Sequence, residues 1–142
     1  GFGMPAAMGA AVGVPDRTVV AVTGDGSIQM NIQELATLTE NKIPVKIMVM
    51  NNGYLGMVRQ WQQLFWDNRY SQVDLGRVPD FVKLADAYGM PGFRVSDKTT
   101  LVDQLREALA VDGPAIVDIV VAPEENVYPM IKPGAAARDM MG

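Results

Sequence analysis

Three short apolar stretches constrain the fold of this chain more than any other feature of its sequence. They cover residues 18–23, 45–50 and 115–121 and are rich in β-branched side chains. Their apolar residues are nearly continuous instead of alternating with polar ones, which is typical of strands that are buried on both faces of a parallel sheet. We therefore predict three buried parallel strands at these positions.

The segment between the first two strands has the periodicity of a helix. Its apolar residues recur at helical spacing, at Ile28, Ile32, Leu35 and Leu38. Asn31 followed by Glu34 has the form of an amino-terminal capping box, so we predict a helix over about residues 31–40. The resulting strand–helix–strand unit should have a right-handed crossover.

Further helices are predicted on both sides of this unit. Gly1 and Gly3 belong to a loop that enters a helix, and residues 55–66 form another helix with one apolar face. A third helix is predicted to start at Pro79 and to stop at Gly89. A fourth is predicted to be capped by Thr100 and Asp103. This alternation predicts a three-layer α/β/α domain with a mainly parallel sheet, whose ligands bind beyond the carboxyl ends of the strands.

Composition excludes several classes of function. The formal net charge is −4 and the 12 basic residues are scattered, so we predict no nucleic-acid partner and no anionic membrane partner. The apolar runs are far shorter than the roughly 20 residues that cross a bilayer. The sequence has no cysteine and no histidine, which excludes disulfides, thiol nucleophiles, imidazole bases and ordinary zinc sites. The absence of cysteine fits a reducing compartment, and we expect a cytoplasmic protein.

Polar residues follow the first two predicted strands at the point where each strand ends. The first strand is followed by Gly24, Asp25, Gly26 and Ser27, and the second by Asn51 and Asn52. Carboxyl ends of neighbouring parallel strands point the same way, so Asp25 and Asn52 should converge on one ligand. A carboxylate and a neutral amide oxygen suit Mg²⁺, which prefers oxygen ligands and often shares them with phosphates.

The glycines beside Asp25 add a site for phosphate. They let backbone N–H groups approach phosphate oxygens closely, and the predicted helix start near Asn31 adds further donors and a favourable dipole. A diphosphate held through Mg²⁺ fits this arrangement. Asn51 is the weaker candidate ligand, because its amide could instead bond the backbone of the turn.

Other roles for these residues are also consistent with the sequence. A Gly-Asp-Gly tripeptide by itself is most often a turn, and the apolar face of the predicted helix over residues 55–66 is core by default. Gly1-x-Gly3-x-x-Ala6 could belong to a dinucleotide-binding dehydrogenase in which Asp25 holds a ribose hydroxyl. A non-catalytic assembly domain is a third hypothesis.

The spacing of the two polar groups resembles a known motif. The pattern is similar to the cofactor motif of thiamine-diphosphate-dependent enzymes: Gly-Asp-Gly is followed by residues 27–50 and then by Asn-Asn. Residues 1–7, 56–62 and 128–130 are similar to the acetolactate synthase family, and the similarity runs through essentially the whole chain. Residues 53–55 depart from the polar run that many members have, and the family's methionine before Gly1 is missing.

The resemblance implies roles for individual residues. Asp25 and Asn52 correspond to the side-chain metal ligands, and Tyr54 to the residue whose backbone carbonyl completes the set. Met57 and Trp61 would line the substrate channel. The implied cofactor-binding residues are Gly24, Asp25, Gly26, Ser27, Asn52, Tyr54, Gly56 and Met57. No catalytic side chain is implied in this chain, because the glutamate that activates the cofactor belongs to another domain.

The resemblance also implies what the parent enzyme does. Pyruvate would be decarboxylated and its two-carbon unit joined to a second 2-keto acid, in branched-chain amino acid biosynthesis. Sulfoacetaldehyde acetyltransferase, glyoxylate carboligase or a 2-keto-acid decarboxylase are the alternatives in the same class. We expect a homodimer or tetramer with a possible small regulatory subunit.

The resemblance finally implies how the chain is divided. Residues 1–123 would form the domain that binds thiamine diphosphate and Mg²⁺, and residues 124–142 a carboxyl-terminal tail. The pyrimidine-binding domain and the FAD-binding domain would lie outside this chain. The opening at Gly1 and the glycine- and alanine-rich end indicate a piece of a longer protein.

Overall fold

A computed structural model describes all residues 1–142 and shows alternating helices and strands. The helices are α1 (Gly3–Gly13), α2 (Asp25–Ile28), α3 (Glu34–Glu40), α4 (Gly56–Phe65), α5 (Phe81–Ala87) and α6 (Leu101–Ala110). The strands are β1 (Val19–Gly24), β2 (Val45–Asn51), β3 (Gly92–Val95) and β4 (Ala115–Val120). Short 3-10 helices cover Gln29–Asn31 and Ala137–Asp139.

The four strands form one sheet in the order β1-β2-β4-β3, and every neighbouring pair is parallel. The three predicted strands are confirmed as β1, β2 and β4, but the expected burial on both faces holds only for β2 and β4, since β1 leaves Val20 and Val22 exposed. Strand β3 was not predicted, because it is short and contains Gly92 and Arg94 instead of a continuous apolar run. Its strand conformation depends on pairing with β4, a partner that local sequence does not reveal.

Helices cover both faces of the sheet, which confirms the predicted three-layer fold. One face packs against α1, α3 and α5, and the other packs against α6. The larger core contains Met4, Ala7, Met8, Ala11, Ala21, Ile28, Leu35, Leu38, Val45, Ile47, Val49, Phe81, Ala85, Met90 and Ile116. The smaller core contains Met48, Val95, Ala108 and Val117. Alternate residues of β2 therefore enter different cores, as the pleat of a strand requires.

One part of the sheet carries no helix. On β1, Val20 and Val22 project from the face opposite the larger core and are 44% and 67% exposed. Nearby, the amino group of Lys46 on β2 is buried and donates to the carbonyl oxygens of Val111 and Gly113, just after α6. Burial lowers the pKa of Lys46. The lysine thus joins the amino-terminal half of β2 to the end of α6.

Two predicted helix starts and one predicted cap are wrong in detail. The helical stretch after β1 begins at Asp25 and not near Asn31, whose side chain instead donates to the carbonyl of Gly1. Helix α3 accordingly has no capping box. The helix expected to start at Pro79 starts at Phe81, capped by Asp80, which accepts hydrogen bonds from two backbone N–H groups. Thr100 precedes α6 but does not cap it through its side chain.

The remaining expectations about the helices are confirmed. The loop at Gly1 enters α1, α4 lies within residues 55–66, and Gly89 follows α5 with a positive φ of 72°. That backbone conformation is the one in which glycine commonly ends a helix. No helix has both the length and the apolar character needed to span a membrane.

Candidate active site

The ends of β1 and β2 lie side by side, as the sequence predicted. Gly24 of β1 pairs in register with Met50 of β2. Just beyond them, the backbone N–H of Gly53 donates to Oδ2 of Asp25 over 2.7 Å. The two polar segments that follow these strands therefore meet at one place on the carboxyl edge of the sheet.

Asp25 is a buried carboxylate with no cationic partner. The residue is 4% exposed and forms no ion pair. Burial raises the pKa of the Asp25 carboxyl, although N–H groups of Gly53 and Gly26 bond its two oxygens and act in the opposite direction. A divalent cation would neutralise this charge, and the remaining lone pairs of the carboxylate suit it.

Asn52 and Tyr54 lie in the loop that follows β2. The Tyr54 N–H donates to Oδ1 of Asn52 over 2.9 Å, which folds the loop into a tight turn. Two further backbone bonds hold the turn against the chain that follows α4, from Leu55 to Val73 and from Leu75 to Gly53. The turn is thus fixed from both sides before any ligand arrives.

The glycines of this region are required by close packing. A Cβ on Gly26 would come within 3.0 Å of the Leu55 side chain, and one on Gly56 within 3.1 Å of the Asn52 amide. Gly53 has a positive φ of 72°, and a Cβ there would meet the Arg77 side chain at 2.9 Å. A side chain at any of these positions would therefore force a neighbouring side chain to shift, and at Gly53 it would also strain the backbone.

The helix start beside Asp25 differs from the prediction and lies closer to the carboxylate. Helix α2 begins at Asp25 itself, after Gly24 in an extended conformation. The first N–H groups of a helix have no intrahelical acceptor and can bond an anion. The helix start nearest to Asp25 therefore belongs to residues 25–28 and not to residues near Asn31. The Ser27 hydroxyl lies 3.0 Å from the amino group of Gly1.

Asn51 is a buried supporting residue. Its amide nitrogen donates to Oδ1 of Asp118 on β4 over 2.9 Å, and it does not bond the backbone of the turn. Oδ2 of Asp118 accepts from Arg94 over 3.0 Å, and Arg94 also contacts Asp80 at 2.6 Å. This chain of bonds fixes the end of β2. Asp118 and Arg94 were not predicted, because nothing in the local sequence indicates that residues so distant share a bond.

Met57 and Trp61 lie on an accessible apolar surface, not in the core. They are 49% and 37% exposed, and Trp61 packs edge-to-face against Phe65 with ring centres 6.0 Å apart. The default expectation that this face of α4 is core is therefore wrong for these two residues. A groove of about 450 Å³ is lined by Met57, Val58, Trp61, Gln62, Trp66 and Arg69. Neither Asp25 nor Asn52 lines this groove.

The cation site that these residues suggest holds only one carboxylate. No group of three or more carboxylate, histidine or cysteine side chains lies close enough to hold a metal ion. One carboxylate, one amide oxygen and one backbone carbonyl make an incomplete shell, which leaves room for phosphate oxygens and water around a cation such as Mg²⁺.

Comparison with known proteins identifies similar sequences over the whole chain. A family model described as the thiamine pyrophosphate enzyme, C-terminal TPP binding domain, matches residues 1–119. The acetolactate synthase large subunit of Parasynechococcus marenigrum is 50% identical over 100% of this chain and 23% of its own length. The large subunit from Haemophilus influenzae is 49% identical over 99% of the chain and 25% of its own length.

Similarity extends to a solved structure. The thiamine diphosphate-dependent 4-hydroxybenzoylformate decarboxylase of Rhodococcus jostii RHA1 is 35% identical, with a TM-score of 0.78, over 85% of this chain and 23% of that one. The chain thus spans about a quarter of the length of the relatives that it matches.

Proposed function

Since this chain belongs to the thiamine pyrophosphate enzyme family and carries its carboxyl-terminal cofactor-binding domain, we propose that the Asp25–Asn52 site holds the cofactor's diphosphate through Mg²⁺. Thiamine pyrophosphate is another name for thiamine diphosphate. The observation that carries the proposal is the buried, unpaired carboxylate of Asp25 beside the turn that contains Asn52.

The proposed ligands would provide one charged and two neutral oxygen donors. Asp25 supplies the negative charge, Asn52 a neutral amide oxygen, and Tyr54 its backbone carbonyl. The loop at Gly24, Gly26 and Ser27 would lie against the phosphate oxygens, while the N–H of Gly26 bonds Asp25. Gly56 and Met57 begin α4 beside the turn and would contact the remainder of the cofactor.

The parent enzyme is proposed to be an acetolactate synthase. It would act on pyruvate and a second 2-keto acid, and the bound cofactor would supply the carbanion chemistry at its ring. This domain would anchor and orient that ring. Relatives named acetolactate synthase are 43–50% identical, against 35% for the decarboxylase, so the comparisons favour the synthase over the other thiamine-diphosphate enzymes. Met57 and Trp61 would line the path of the second 2-keto acid.

The remaining features of the parent enzyme are proposals of the same kind. Residues 1–123 would be the cofactor domain and residues 124–142 a tail, while the pyrimidine-binding and FAD-binding domains lie elsewhere in the polypeptide. The enzyme would be a cytoplasmic dimer or tetramer, with a possible small regulatory subunit.

The test is a binding titration on the full-length enzyme that carries this domain. Thiamine diphosphate should bind with Mg²⁺ present and lose most of its affinity when a chelator removes the cation. Thiamine without its diphosphate is the matched control ligand and should bind weakly in both conditions. Nicotinamide dinucleotide binding that needs no metal would instead support the dehydrogenase hypothesis. Failure to bind any diphosphate would support a non-catalytic assembly domain.

A further inference from the structure

Helix α4 carries Met57 and Trp61, and none of its apolar side chains is fully buried, although Leu64 and Phe65 are half-buried. Gln60 is its only buried residue, at 1% exposure, whereas helices of this length in globular proteins normally bury an apolar stripe. Polar contacts of its side chains therefore contribute strongly to the position of α4. A fully buried side-chain amide is an unusual anchor, because both its oxygen and its nitrogen need partners.

The partners of Gln60 come from the tail. Oε1 of Gln60 accepts from the N–H of Val127 over 2.7 Å, and Nε2 donates to the carbonyl of Val127 over 2.9 Å. The amide thus bonds both backbone groups of one residue, as a neighbouring strand would. Nε2 also lies 2.9 Å from the sulfur of Met130, which is buried beneath the helix.

The tail is held closed around this contact. Met130 exchanges two backbone hydrogen bonds with Met141, of 2.9 and 2.7 Å, so the end of the chain folds back on the same segment. One more bond joins Asn126 to Gln63, at 3.3 Å. Residues 126–130 and α4 therefore form one unit, joined mainly through Gln60.

The other polar anchor of α4 is weaker. Gln62 bonds both backbone groups of Ser71, at 3.1 and 3.0 Å, but these bonds are exposed to solvent. Water replaces exposed hydrogen-bond partners readily, whereas a buried amide left without partners bears the full cost of desolvation. Loss of Gln60 should accordingly release α4 far more than loss of Gln62.

We propose that Gln60 is a positioning residue that couples the tail to the Met57–Trp61 surface, so that an ordered tail sets where that surface lies. The functional half of this proposal rests on the proposed function, in which Met57 and Trp61 face the second 2-keto acid. The structural half does not depend on it and can be tested without any activity.

The structural test uses the fluorescence of the chain. The protein has two tryptophans, Trp61 within α4 and Trp66 at its carboxyl-terminal end, so intrinsic emission reports on this helix alone. Gln60→Ala should shift the emission to longer wavelength. It should also speed proteolysis of the tail by about ten- to a hundredfold, because two hydrogen bonds are lost. The matched control Gln33→Ala, an exposed glutamine without side-chain bonds, should change neither.

A second variant removes the same contact by a change in the tail, and it distinguishes loss of this contact from general misfolding. Val127→Pro removes the N–H that Gln60 accepts, and it should reproduce the emission shift with an unchanged far-ultraviolet spectrum. The double variant should add little to either single one, because both remove the same contact. Unchanged emission in both single variants, or fully additive effects, would overturn the coupling.

The functional test uses the full-length enzyme with pyruvate and 2-ketobutyrate in competition. Gln60→Ala should change the product ratio and raise KM for the second 2-keto acid, while affinity for Mg²⁺, whose proposed ligands lie outside α4, stays as in the wild type. A variant that shifts emission but keeps the wild-type product ratio would refute the functional half. If the wild-type enzyme forms no acetolactate, the proposed function fails, and the emission result still decides the coupling.

Discussion

At the scale of single residues, the cation site depends on one charge. Asp25 is the only carboxylate among the proposed ligands, so Asp25→Asn in the full-length enzyme should greatly weaken Mg²⁺-dependent binding of thiamine diphosphate. Asn52→Ala should weaken it less, because water can replace a neutral amide oxygen. Calorimetric titration measures both, with the exposed Asp86→Ala as the matched control. Wild-type affinity in Asp25→Asn would remove this residue from the site.

A substitution at Trp61 distinguishes a role in the core from a role in substrate binding. Since the residue is 37% exposed at the edge of the groove, Trp61→Leu should cost no more than about 1 kcal/mol of stability. It should instead change the preference between pyruvate and 2-ketobutyrate. Phe81→Ala, a change at a fully buried position, is the contrasting variant and should cost about 3–5 kcal/mol. A large fall in Tm with an unchanged substrate preference would return Trp61 to the core.

The residues of the site show how far sequence alone reaches. Asp25 and Asn52 could be predicted because each directly follows an apolar strand, and parallel strands bring their carboxyl ends together. Asp118, Arg94 and Gln60 could not, since their partners lie far away in the sequence and no local pattern links them. The burial of Gln60 is even contrary to the usual preference of glutamine for the surface.

At the scale of elements, α5 is held at its start by Asp80. Its carboxylate accepts from the N–H groups of Val82 and Lys83 and pairs with Arg94 on β3. The Arg94 hydrogen bond, aided by these N–H groups, lowers the pKa of Asp80. A lowered pKa means that this stabilisation is fully present above the ordinary carboxyl range and disappears as the pH falls through the folded-state value.

Two variants of Asp80 test this acid dependence. Asp80→Asn keeps a capping side chain but removes the charge, so its melting temperature should fall less steeply with acidification than that of the wild type. Asp80→Ala removes the cap as well and should melt lower at every pH. Melting curves between neutral and acid pH measure both effects. A wild-type slope in Asp80→Asn would show that the pair with Arg94 does not contribute.

Element types were easier to predict than element boundaries. The continuous apolar runs identified β1, β2 and β4, because strands buried on both faces, as β2 and β4 are, consist almost entirely of apolar residues. The start of the helical stretch after β1 was misplaced because Asn31 had two possible partners, a helix N–H and the carbonyl of Gly1. Tertiary contact decided between them, and β3 likewise became a strand through its neighbour.

At the scale of the whole molecule, the chain on its own should not carry out carboligation. The proposed site binds only the diphosphate end of the cofactor, and the family resemblance assigns the activating glutamate to another domain. A rigorously purified sample of the 142-residue chain, given pyruvate, thiamine diphosphate and Mg²⁺, should form no acetolactate. Turnover by such a sample would contradict the division of the active site between domains.

The exposed apolar side chains predict self-association of the same sample. Val20 and Val22 on β1 are largely exposed, and Phe2 at the start of α1 is 85% exposed. Apolar patches of this kind on a folded domain mark contact surfaces. Light scattering should therefore find a dimer or larger species, and Val22→Lys should shift it towards a monomer. A wild-type monomer at high concentration would show that the exposed strand face does not drive association.

The order of the strands also sets the kinetics of folding. The central pair of the sheet joins Lys46 of β2 to Ala115 of β4, so its formation closes a loop of almost half the chain. Such long loops lose entropy before their contacts form, which makes parallel pairing slow. Until β4 arrives, the apolar β2 presents an unpaired edge on which another unfolded chain can pair. We therefore expect aggregation to be favoured during folding, until β4 pairs with β2.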